Sequence, residues 1–122
     1  MNLNYKFFLH LLLIISFSLN IYSDSSKVIE NLKIEKGFSI EIFVENVDTP
    51  RQIAESEKGN IFVGSRSGGT ISAIDTNKNI RVIAKGLSNS TGVTYHQGDL
   101  YFSEVDSIWK IPNIDDVLLS SE

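Results

Sequence analysis

Residues 59–75 read GNIFVGSRSGGTISAID, two apolar runs around a glycine-rich loop, Gly64 to Thr70. Such a loop either cradles a phosphate or reverses a chain. A phosphate cradle needs a helix after its glycines, so that free N–H groups and the helix dipole meet the anion. Here Thr70 to Asp75 alternates with period two, which is the pattern of a strand. The loop also lacks the lysine of a Walker sequence and the spacing of a dinucleotide fingerprint. Ser67-Gly68-Gly69 is therefore expected to be a hairpin turn, with glycine supplying positive φ.

The same alternation runs outward in both directions. Phe38, Ile40, Ile42 and Val44 alternate with Ser39, Glu41, Phe43 and Glu45. Ile80, Val82 and Ala84, then Leu100 and Phe102, continue it. The expected strands are 38–45, 51–56, 60–65, 70–75, 79–85, 91–96, 100–105 and 107–111, an all-β chain. The segments also repeat. Residues 43–54 lie over 83–94 without a gap, Gly59 to Ser65 over Gly98 to Glu104, and Ile71 to Ile74 over Ile108 to Ile111. A repeat of about 40 residues with four short strands is the signature of a β-propeller blade.

Composition narrows the classes of function. The chain is 42% hydrophobic and 21% charged, an ordinary globular balance. Lys6 precedes a short apolar core, no acid appears before Asp24, and Ser23 is small, so 1–23 is expected to be a secretory signal peptide. Retention as a membrane anchor is the alternative. Cleavage would leave ten basic against 15 acidic residues, a balance that argues against nucleic acid. The absence of cysteine removes disulfides, thiolate metal sites and a cysteine nucleophile. Residues 24–37 are expected to be a linker, 38–112 a partial β-propeller and 113–122 a polar acidic tail at a truncated end.

Two stretches carry a resemblance to a known family. They are KGFSIEIFVENVDTPRQIAESEKGNIFVGSRSGGTISAI, residues 36–74, and GVTYHQGDLYFSEVDSIWKI, residues 92–111. They resemble the N-terminal part of the sorbosone and glucose dehydrogenase-like propellers, exported six-bladed enzymes associated with pyrroloquinoline quinone (PQQ). The resemblance implies the N-terminal portion of a six-bladed β-propeller, with about two blades and a closing strand at 38–45. It implies a periplasmic or secreted protein that oxidises a sugar hydroxyl or aldehyde by hydride transfer to the quinone. Its partners would be the sugar substrate and the remaining blades of the same propeller. A non-catalytic envelope propeller and a calcium-dependent lactonase-like propeller are the alternatives.

On that resemblance, Arg51 and Arg66 fall on the active face, where their guanidinium groups could receive the carboxylates of PQQ or sugar hydroxyls. The family's catalytic histidine belongs to a later motif, and neither Arg51 nor Thr91, at the first-strand starts, is a histidine. No catalytic residue is therefore expected in this stretch, and no tight cofactor binding by it alone. His96 is expected in the turn between two strands, on the opposite face. Glu104 and Asp106 are candidate calcium ligands, although two acids do not make a site. Trp109 is expected between blades. Asn89-Ser90-Thr91 fits a glycosylation sequon.

Overall fold

The computed structural model describes residues 25–120, so the expected signal peptide lies outside the described residues. The chain divides into a unit ending at Ile42 and a unit beginning at Phe43. In the first, Ser25–Glu30 forms a short helix, α1, within the expected linker, and the other described residues of that unit form no helix or strand. Among the described residues no helix is long and apolar enough to cross a membrane.

The expected strand 38–45 does not form. Phe38, Ile40, Ile42 and Phe43 are exposed at 78, 44, 38 and 48%. Alternation makes a segment able to pair, but a strand exists only in a ladder, and no described edge takes this one up.

The second unit is built from two antiparallel sheets. The first runs β1 (Pro50–Glu55), β2 (Ile61–Ser65), β3 (Thr70–Ile74) and β4 (Ile80–Lys85) as a simple meander. The second runs β5 (Val93–His96), β6 (Asp99–Ser103) and β7 (Ile108–Ile111). Seven of the eight expected strands are therefore present, each within about two residues of its expected bounds. Turn chemistry fixes the hairpins. Gln97 and Gly98 have φ of 49° and 90°, the positive values that a two-residue turn between twisted strands requires. The Asp75 carboxylate accepts the amides of Asn77 and Asn79 and the Asn79 side chain, and these bonds hold it below the ordinary carboxylate range.

Register shows which faces meet. Ala54, Phe62 and Ala73 are cross-strand neighbours on one face of the first sheet, with Ile71 beside them. Val93 and Phe102, then Tyr95, Leu100 and Ile111, share one face of the second. These two faces form the core, in which Phe62, Ile71 and Leu100 are fully buried. The Phe62 and Tyr95 rings stack at 6.5 Å. Each such side chain contributes about 1.5–3 kcal/mol by leaving water. The other face of the first sheet is apolar too: it carries Ile53, Val63 and Val82, and Ile61, Ile74 and Ile80.

The repeat extends to the backbone. Asn46 and Gly86, Thr49 and Asn89, and Gly59 and Gly98 are matched pairs, and all six have positive φ.

The described part of the segment expected to be a polar acidic tail packs on the fold. Ile114–Ser120 forms a helix, α2, whose Ile114 is 1% exposed in the core. Ile114 and Leu118 recur at helical spacing and pack on the core, while Asp115 and Asp116 sit in the first turn, where the helix dipole favours acids. Buried Asp115 accepts from Asn60 at 2.7 Å, and Lys58 pairs with Asp116 at 2.8 Å.

Candidate functional site

The glycine-rich loop turns the chain between β2 and β3. Gly69 has φ of 61°, and a Cβ there would lie 2.5 Å from the Leu87 carbonyl oxygen. A Cβ at Gly68 would overlap the Asp48 carboxylate and the Ser65 hydroxyl. The Asp48 carboxylate lies against the loop at Gly68, where it would repel an anion, and a strand, not a helix, follows. The loop thus positions its neighbours instead of holding a phosphate.

What it positions is a cleft. Arg51, Arg66, Asn89 and Thr91 line an open depression of about 440 Å³. Arg51 stands at a break in register: Pro50 opposes Ser65 and Gln52 opposes Gly64, so Arg51 is the extra residue of a bulge. A bulge re-aims its side chain out of the strand's alternation. Arg66 follows β2 directly. Both are exposed, and among the described residues neither guanidinium is paired with a carboxylate.

The far wall is tied to the near one through backbone. Ser90 is fully buried, and its hydroxyl lies 3.2 Å from the Ser65 carbonyl and 3.3 Å from that of Thr70. Gly64 makes this approach possible, because a Cβ there would lie 2.5 Å from the Thr91 carbonyl oxygen. On the near side Thr49 Oγ1 shares a hydrogen bond with Ser65 Oγ and accepts from the Gly68 amide. The cleft therefore holds two cations beside a hydroxyl and an amide, on anchored backbone. Chemically it can bind carboxylates or polyhydroxylated molecules through forked hydrogen bonds.

The other sequence candidates lie elsewhere. His96 closes β5 at the hairpin, at the opposite end of that strand from Thr91, beside Glu55, Ser56 and Glu57. Glu104 is engaged within the fold: it accepts from the Ser88 amide at 2.6 Å and from the Trp109 indole at 2.7 Å. Asp106 accepts from the Ser107 hydroxyl. Trp109 is half-exposed on the edge strand β7. Among the described residues no three acids or histidines are grouped to hold a metal ion. Sequence reading named Arg51 and Arg66 as candidate ligand residues and Thr91 only as a first-strand start, and it missed Ser90 and Gly64 as the fasteners; the signal it held was that 49–51 aligns with 89–91.

No family model matches the chain. An uncharacterized protein of Borreliella burgdorferi is 38% identical to it over 92 residues, which is 74% of this chain and 24% of that protein. The chain thus spans about a quarter of the length of the curated relative that it matches.

Proposed function

We propose that this chain supplies two adjacent blades of an exported β-propeller of the sorbosone and glucose dehydrogenase type, with the Arg51–Arg66 cleft forming part of its ligand site. The observation that carries the reading is the sense in which the sheets stack. Ile53, Ile61 and Val63 match Val93, Leu100 and Phe102 in the repeat. The second set faces the first sheet; the first set faces away from the second. Two units stacked head to tail in this way continue into a ring or a filament, and a relative about four times as long as the matched stretch has room for the rest of a ring.

Two guanidinium groups that have no carboxylate partner among the described residues suit the carboxylates of PQQ. When bound, that group would accept the hydride of an oxidised sugar. Arg51 and Arg66 would hold and orient it, with the Thr91 hydroxyl and Asn89 amide beside them. The proton would pass to a base outside this stretch, because Glu104 is engaged and His96 lies at the far hairpin.

Titration of the Borreliella burgdorferi relative with PQQ and calcium tests the reading. Saturable binding, with dye reduction on adding an aldose, supports it. Absence of binding leaves a propeller that binds ligand or protein without redox chemistry, which Arg51 and Arg66 would also serve.

A further inference from the structure

Ser88 precedes Asn89, which lines the far wall of the cleft, and both backbone groups of Ser88 are held. Its amide donates to Glu104 Oε1 at 2.6 Å, and its carbonyl accepts from the Val105 amide at 3.2 Å. Glu104 is fixed in turn. Its other oxygen accepts from the Trp109 indole N–H at 2.7 Å, and Trp109 stands in the ladder opposite Phe102. One carboxylate thus joins the loop before β5, the loop after β6, and β7. Hydrogen bonds to a charged acceptor are about twice as strong as neutral ones.

The repeat gives this tie a counterpart. Ser88 and Glu104 match Asp48 and Ser65. Those two also lie together, against Gly68, and Thr49 beside Asp48 bonds Ser65. In both repeats, then, the segment that enters the first strand is fastened to the loop that leaves the second. In the first repeat the entering segment supplies the carboxylate; in the second the loop supplies it. The side that provides the acid changes and the contact stays, so the fastening is the constant feature. Asn89 needs it. Its φ of 50° is a left-handed backbone that a residue other than glycine keeps only when its surroundings hold it. Glu104 holds it through Ser88 on one side, and Ser90 holds it from the other.

We propose that Glu104 is a positioning residue of the Arg51–Arg66 cleft: clamped by the Trp109 indole, it holds the Ser88 amide and so sets Asn89 and Thr91 across from the two arginines. This rests on the reading of the cleft as a ligand site. The cleft of one repeat is then supported by a side chain of the next.

Amide hydrogen exchange and resonance positions in the isotope-labelled chain test this without a ligand. Glu104→Gln and Trp109→Phe should each speed exchange at the Ser88 amide at least about tenfold and shift the Asn89 and Thr91 resonances, with the β6 amides exchanging as before. The double variant should be no worse than Glu104→Gln alone, because both act through one carboxylate. PQQ, titrated to its solubility limit, then reads the site: Glu104→Gln should raise its Kd at least about fivefold. Unchanged exchange at Ser88, exchange raised alike throughout the second unit, Asn89 and Thr91 resonances that stay in place, or additive effects of the two variants would overturn the proposal. So would equal PQQ affinity with and without Glu104→Gln. If PQQ moves no resonance of the cleft, the PQQ reading loses its support, while the exchange and the Asn89 shifts still decide the role of Glu104.

Discussion

Ile53 and Val93 stand at the same position of two successive repeats, yet Val93 is 3% exposed and Ile53 is 68% exposed. Val93 is covered by the sheet that precedes it; among the described residues no sheet precedes the first. The difference should be visible in stability. Val93→Ala should cost about 2 kcal/mol, and Ile53→Ala should stay within about 0.5 kcal/mol. Urea unfolding of the two variants measures both. In a closed ring the two costs should converge.

The cleft depends on backbone contact between repeats. Gly64→Ala drives a methyl group into the Thr91 carbonyl, and overpacking of this kind costs about 1–3 kcal/mol. Ser90→Ala leaves the buried Ser65 and half-buried Thr70 carbonyls without its hydroxyl, at about 1–3 kcal/mol. Thermal denaturation should show both losses. Arg51→Ala and Arg66→Ala, on exposed side chains, should leave the midpoint nearly unchanged.

Acid should weaken the fold through Asp75 and Asp99. Lys110 and the Asn113 amide hold Asp99 below its ordinary value of 3.8, as the Asn79 bonds hold Asp75. A carboxylate whose folded-state pKa is depressed stabilises the fold above its unfolded value. That contribution fades as pH falls from about 3.8 through the depressed value. Asp99→Asn should therefore reduce stability at neutral pH and flatten its loss below that point, as read from unfolding midpoints across the acid range.

The helix α2 is part of the fold. Ile114→Ala should cost about 2–5 kcal/mol, as for a fully buried branched side chain. A value near zero would mean that Ile114 does not pack on the core.

The strands and their hairpins were legible because each has period-two alternation bounded by turn residues, as in Ile61 to Ile74. The repeat was legible because matched positions keep their chemistry, as in Gly59 and Gly98. Three features were not. The strand at 38–45 carries the right pattern, but pairing needs an edge, and pattern does not reveal one. The helix at Ile114–Ser120 is barely two turns long, and its acids mask two apolar residues four apart. In the cleft, Arg51 and Arg66 are polar residues beside turns. Their meeting depends on the bulge at Arg51 and on Gly64 admitting the Thr91 backbone, neither of which leaves a mark in a single sequence.

The most direct measurement is the structure of the Borreliella burgdorferi relative over its whole length. The counterpart of Ile53 should lie buried beneath a further four-stranded antiparallel sheet, in a ring that also covers the outer face of the second sheet. A counterpart of Ile53 open to solvent, or covered by a domain that is not β, would contradict the propeller.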